Sequence, residues 1–549
     1  MSSGTPQQPS SSTPDTSPAA DSTAAPDELA PHPGAQDMPR WELGPLAEPP
    51  AFKWTWRQIA QFIGPGLVMG ASAIGGGEWL TGPLNTARYG GAVLWLATLS
   101  IIGQTLYNIE ISRYTLYTGE PIFTGKFRTK PGPRLWLPLY LALDFGSFFP
   151  YLAASAAIPV VTMIIGEVPR PGTYETMRTM VAVGIFLGAM LPLFVGGKVY
   201  NSIKVVMATK LIVVIGFLLF LALFYSTADT WVEIITGFFK FGTVPVVDEV
   251  NKGATENIFI SLFTGGGFPE IDLSTVGILA AMAAIAGNGG LTNTPISNFT
   301  RDQGWGMGKE VGAIPSIIGG HTMHLSHVGK VFRVNDETLP RWRGWVRHIT
   351  RDQMGVWMLA CFVGLALPSM LSVQFLERGL VIPENESYKA AVMTAGGVQE
   401  GVGGALGNVF WYLTLVCGFL VLGTSMVTTV DGVLRRWVDV FWTASSRLRE
   451  VDPRSIGKVY FRVLLVYGAI GLFLLVYTTP GTLLKISTNI YNYALGFSCF
   501  HVLAVSKNLL PKELQPSAAR RTALACAGVF FLVIAALSTY AFLKKEGWL

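Results

Sequence analysis

Apolar runs of about 20 residues, the length a helix needs to cross a bilayer, recur from residue 58 to the C-terminus with basic residues clustered between them. A chain written this way folds by packing helices inside lipid. Charged residues make up 14% of its 549 positions, against about 25% in soluble domains. That supply cannot coat the several domains a soluble enzyme of this length would need, so the expected class is an all-α, polytopic membrane protein and not an enzyme.

Eleven spans are expected, over about 58–87, 91–117, 135–165, 177–197, 202–225, 271–298, 353–376, 405–434, 459–478, 482–506 and 520–543. If the N-terminus is inside, the basic clusters at 126–134, 301–351, 435–458 and 507–521 all fall in inner loops. The positive-inside rule then predicts a cytoplasmic N-terminus and an extracytoplasmic C-terminus, in the plasma membrane. The formal charge of +5 follows from this topology, and no nucleic-acid partner is expected. Residues 1–50 are rich in Ser, Thr, Pro and Ala with no apolar run, which predicts a disordered cytoplasmic tail ahead of a membrane domain over 51–549. The tail is not a signal peptide, since its first basic residue is Arg40. Cys361, Cys417, Cys499 and Cys526 lie in apolar segments without paired spacing and read as small core residues, not as disulfides or a zinc site.

Two spans contain glycine blocks that a helix does not tolerate. The first holds Gly64-Pro65-Gly66 and then Gly75-Gly76-Gly77-Glu78-Trp79; the sixth holds Gly287-Asn288-Gly289-Gly290. Each glycine costs a helix about 1 kcal/mol relative to alanine, so both spans are expected to unwind. Interrupted helices at corresponding places in two halves point to a transporter with inverted repeats, its site between the half-helices at mid-membrane. The alternative is that the glycines permit close helix packing, but packing glycines come every fourth residue and not as a block.

At these residues the chain resembles the Nramp divalent-metal transporters. Gly64-Pro65-Gly66 followed by a break ending in Trp79, the sequence Tyr114 to Glu120 closing span two, and Gly423-Thr424-Ser425 to Asp431-Gly432 in span eight are similar to the family's pattern over most of 58–543. The resemblance implies a LeuT-type fold, five plus five inverted spans with an extra eleventh. It also implies where cargo binds. The family's ligand positions fall here on Gly75, Glu78, Ala286, Gly287 and Asn288, with the tenth-span glutamine near Thr488 and the acids of its proton path near Phe149 and Leu152. Every side-chain ligand of the family has changed, so the chain looks like a divergent branch without the usual metal-binding motif, similar in this to the Nramp-related magnesium transporters.

The residues present still suit a cation. A carboxylate at the bilayer centre needs a wet cavity and a positive partner, and Glu78 is surrounded by oxygen donors: freed carbonyls at Gly75 to Gly77 and Ala286 to Gly287, and the side chains of Asn288, Thr488 and Asn489. Carboxylate, carbonyl and water favour hard ions such as Mg²⁺ or Mn²⁺ over softer metals. Glu78 is the expected metal ligand, a divalent cation the expected cargo, and no cofactor is expected. The alternative makes Glu78 a proton-coupling or structural carboxylate and the cargo something other than a metal.

Asp144, an acid inside span three, is a candidate coupling position. His321, His324 and His327, spaced at three in the long inner loop, are candidates for a regulatory metal but read better as an amphipathic segment. His501 reads as a core histidine, and Asp431 with Arg435 and Glu110 with Arg113 read as helical ion pairs. No phosphate-cradling Gly-Lys-Ser/Thr loop is present, so transport is expected to run on ion gradients or downhill, as a symporter or facilitator, without nucleotide. A monomer is expected. Two other functions stay open: transport of a small organic solute such as an amino acid, and a membrane sensor whose loop 301–351 recruits partners.

Overall fold

The computed structural model describes residues 34–35, 38–51, 64–193, 199–312, 326, 328–449 and 456–548. A short strand β1 (Glu42–Leu43) precedes the bundle. The first span is α1 (Pro65–Ala73), a wide turn over Gly77–Thr81, and α2 (Gly82–Tyr89); next come α3 (Trp95–Thr118), α4 (Ile122–Arg128), α5 (Pro133–Leu143), α6 (Tyr151–Ile165), α7 (Glu175–Gly188), α8 (Val199–Tyr225) and α9 (Ala228–Gly237). The second half opens on a broken span, α10 (Val276–Ile285) and α11 (Pro295–Asp302), followed by strand β2 (Lys330–Val331), α12 (Thr338–Asp352), α13 (Met358–Phe375), α14 (Gly404–Ala444), α15 (Ile456–Tyr477), α16 (Pro480–Leu509) and α17 (Ala518–Lys545).

Among the described residues seven helices are long and apolar enough to cross a membrane, or eight if the pair Pro65–Val93 and Trp95–Thr118, bent by 97°, counts as one span. Among the described residues the expected count of eleven spans is therefore not reached by length and composition alone. Glycine and proline divide several expected spans: 135–165 becomes α5, a tight turn at Phe145–Phe148 and α6, and α7 stops at Gly188, short of the expected 197.

Burial separates centre from rim. The windows at Phe145–Ile165 and Leu273–Asn293 are 72% and 78% buried, whereas Ile203–Tyr225 and Ala518–Lys545 are 33% and 28% buried. The poorly covered helices present Ile212, Leu223, Phe224 and Phe542 outward, as lipid-facing helices must. Cys361, Cys417 and Cys499 are buried, as expected of small core residues, but Cys526 is exposed on α17.

The tail is not disordered up to residue 50. Met38, Trp41 and Leu46 are buried, and β1 pairs in parallel with β2, Glu42 opposite Lys330 and Leu43 opposite Val331. Arg128 donates to the Pro39 carbonyl and Trp345 to that of Ala47, so the segment straps α4 to α12. Three spaced apolar residues in a polar stretch are enough to seat it once the bundle supplies the other wall. His321, His324 and His327 lie outside the described residues.

Candidate functional site

The two breaks face each other. α1 ends at Ala73, and the chain runs through Gly75–Gly77 so close to the second break that a Cβ on Gly77 would overlap the Ile285 carbonyl. Only glycine permits that approach. On the other side Gly287, Gly289 and Gly290 take φ of +113°, +75° and +54°, a region that L side chains avoid.

Glu78 joins the two segments. Its side chain is fully buried; one carboxylate oxygen accepts the Gly75 N–H at 2.9 Å and the other the Gly287 N–H at 3.0 Å. The carboxylate therefore spans from one unwound backbone to the other, and in this conformation its oxygens hold peptide groups and do not line the cleft.

The second break is served by α3. Gln104 Oε1 accepts the N–H groups of Asn288 and Gly289, both at 3.1 Å, and the Asn293 amide at 2.8 Å; its Nε2 donates to the Ala286 carbonyl at 2.9 Å. One neutral side chain thus satisfies three backbone groups that unwinding exposes and one side-chain amide. Asn288 Oδ1 accepts from the Trp357 indole at 2.8 Å.

Beside the breaks is a cleft with about 30 Å³ of space open to water centres, bordered by Ser72, Gly75, Gly76, Asn288, Thr292 and Ser425, with Tyr151, Gly287 and Tyr491. That is room for one or two waters or a partly dehydrated ion. Its polar lining is hydroxyl, amide and peptide oxygen. Among the described residues no three His, Cys, Asp or Glu side chains converge on a potential metal position.

The expected site residues divide accordingly. Gly75, Gly76, Gly287 and Asn288 border the cleft; Gly77, Glu78, Gly289 and Gly290 shape the contact behind it; the Ala286 carbonyl is taken by Gln104. Thr488 and Asn489 are not brought in. The Thr488 hydroxyl donates to Leu484 on its own helix at 2.9 Å, and the Asn489 amide donates to Thr539 on α17 at 3.2 Å. Tyr491, one turn along α16, borders the cleft in their place.

Asp144 is also away from the cleft, held by Arg436 at 2.8 Å and the Trp437 indole at 2.8 Å. It belongs to a buried ion layer in which Arg435 pairs with Asp431 at 2.6 Å and with Asp302, and Arg301 with Asp439 at 3.2 Å. The layer ties α11 to α14 and α14 to the end of α5. Glu110 and Arg113 pair at 3.2 Å, and His501 sits in the core between Tyr140 and Thr129.

Besides Gln104, two charged contributors were not anticipated. Lys210, on α8, is 1% exposed and donates to the Ala71 carbonyl at 2.8 Å and to Ser425 Oγ at 2.7 Å. Asp352 accepts the N–H groups of Gly66 at 2.8 Å and Gly64 at 3.3 Å, capping the start of α1. Lys210 carried a legible signal, a cation deep inside the apolar run 202–225, beyond Lys204 near its start. Gln104, one of two amides inside 91–117 with Asn108, carried a weaker one.

No protein-family model matches the chain, and no curated protein matches it in sequence. Solved structures do match in shape. The Eremococcus coleocola manganese transporter, in a histidine-to-alanine mutant form, superposes with a TM-score of 0.57 at 12% identity, over 91% of this chain and 90% of that one. The same transporter with a bound aromatic bis-isothiourea compound gives 0.55 at 12% identity, over 90% and 88%. Likeness at this identity shows the fold alone: an all-α membrane protein of the LeuT type with two broken helices.

Proposed function

We propose that the chain is a secondary transporter that moves a small, hard divalent cation across the plasma membrane by alternating access, acting as a monomer with its N-terminus in the cytoplasm. The observation that carries this reading is the buried Glu78 carboxylate bridging two unwound, oxygen-rich backbone segments beside a cleft of ionic size. A carboxylate with peptide and amide oxygens is the donor set of Mg²⁺, Ca²⁺ and Mn²⁺. The fold neighbour whose name is manganese transporter supports the same class of cargo.

The geometry suggests how binding and movement are linked. Both Glu78 oxygens are engaged with the breaks closed; displacing α1 from α10 frees one of them toward the cleft, where the carbonyls and the Asn288 amide complete a cation's shell. Release on the other side requires the ion layer around Arg435 and Arg436 to part. Transport draws on a gradient, not on a nucleotide.

The test is uptake of Mg²⁺ and Mn²⁺ by proteoliposomes holding the full chain, beside Glu78→Gln. Wild-type uptake that falls about tenfold or more in the variant, a loss of some 1.4 kcal/mol or more of stabilisation, supports the reading. A second reading, transport of a small organic solute, is favoured by one observation: both Glu78 oxygens are satisfied by backbone N–H, leaving the cleft a neutral hydroxyl wall. Absence of metal uptake with retained solute-dependent stabilisation would select it.

A further inference from the structure

Between α9 and α10 the chain leaves the bundle and forms a closed loop. Thr243–Pro245 pairs antiparallel with Thr255–Asn257, and the chain then returns to the same strand, with Val246 opposite Ile271 and the Val247 N–H on the Glu270 carbonyl at 3.1 Å. Residues 257–270 are thus an Ω-shaped loop pinned at both ends. Inside it Asn257 caps the short helix Ile258–Phe263, accepting the N–H groups of Phe259 and Ile260 at 3.0 and 3.2 Å. The Ser261 hydroxyl donates to the Gly267 carbonyl at 2.9 Å. Polar bonds within the loop therefore fix which side chains it shows.

What it shows is apolar. The thirteen residues between Glu256 and Glu270 carry no charge, and Phe259, Ile260, Leu262, Phe263 and Phe268 are exposed, Phe263 by 91%. A cluster of this kind, held in place by its own fold, marks a contact surface. Its level in the molecule indicates the partner. The Trp95 indole, at the start of α3, donates to the Thr243 carbonyl at 2.7 Å, the Thr98 hydroxyl to that of Phe238 at 2.8 Å, and Arg88, at the end of α2, pairs with Asp272 at 3.3 Å. The loop is bonded to the ends of two spans, where they meet the membrane surface. It also extends a lipid face: α9 follows α8 after two residues, and Val232, Ile235 and Phe239 repeat the exposed apolar character of Leu223 and Phe224 at helical spacing. The hairpin carries Asp248, Glu249, Lys252 and Glu256, and Glu270 closes the loop. No basic cluster is offered to anionic headgroups, so acyl chains are what this surface fits.

We propose that residues 258–268 are a membrane anchor: the uncharged loop inserts its aromatic and aliphatic side chains at the headgroup–acyl boundary of the leaflet where α2 ends. Because the hairpin is bonded to Arg88 and Trp95, the anchor ties the ends of the first two spans to the lipid surface. The proposal holds whatever the cargo, and its readout is location, not flux.

The test is spin-label accessibility on the full chain in phosphatidylcholine proteoliposomes. A single nitroxide is placed at Phe263→Cys or, as a water-facing reference, at Glu256→Cys, both on a Cys526→Ser background. Oxygen partitions into acyl chains, whereas a nickel ethylenediaminediacetate complex stays in water. The ratio of oxygen to nickel accessibility is expected to be about tenfold or more higher at Phe263 than at Glu256, the partition that burial of one large apolar side chain supports. A smaller difference, with nickel reaching both labels, puts the loop in water and overturns the proposal. So does a Phe263 label that neither reagent reaches, since a second copy or another protein surface would then cover it. If Phe263→Cys does not fold, Phe268→Cys is read by the same criteria.

Discussion

The two breaks solve one problem, backbone without a helix inside a membrane, by different means. The second is held mainly by a neutral amide: Gln104 meets Ala286, Asn288, Gly289 and the Asn293 side chain, and the one charged contact there is that of Glu78 with Gly287. The first is held by charges, with Glu78 across the gap, Lys210 at the end of α1 and Asp352 at its start. Neutral bonds to peptide groups lack alternatives in a dry interior, whereas a carboxylate or ammonium can exchange a peptide group for an ion. The second break is built as a fixed wall and the first as the part that can be switched.

The largest effect that would sharpen this comparison is Gln104→Leu. It strands three donors and weakens the hold on a carbonyl, each unpaired group costing about 1–3 kcal/mol, so a loss above about 4 kcal/mol is expected in thermal or denaturant unfolding. A mild effect would mean the second break is not a fixed wall. Next comes Glu78→Gln, where an NH₂ must face the N–H of Gly75 or Gly287. It is expected to cost about 1–3 kcal/mol and to abolish metal uptake while leaving a folded protein. If uptake survives, the charge at the first break is structural only. Asn288→Ala removes the Trp357 bond and one cleft oxygen, for about 1 kcal/mol and a raised concentration for half-maximal uptake. Smallest is Thr488→Val, with under about 1 kcal/mol and unchanged uptake; a loss of uptake there would return α16 to the site.

Local chemistry made part of this legible. Glycine blocks announce unwinding wherever they stand, and Glu78 is conspicuous because an acid in an apolar run has few reasons to be there. What the carboxylate binds was not legible, since the Gly287 N–H lies 209 positions away and only the folded bundle brings it near. Thr488 was placed by likeness of pattern, and rotation about α16 decided otherwise: its hydroxyl folds back on its own turn, and Asn489 faces α17. Asp144 was read as a candidate coupling position because Arg436, its partner, lies 292 positions on. The fold depends on many residues and tolerates such errors; the site depends on a few atoms and does not.

The caps on α1 have a dynamic consequence. This nine-residue rod is gripped at one end by Asp352, from α12, and at the other by Lys210, from α8, with opposite charges matched to the opposite poles of its dipole. Sliding the rod a little strains both grips and gains nothing until new partners are in reach, so intermediate positions are the least favourable. Moving such an element means releasing a charged grip at each pole together, since neither end can be freed while the other holds.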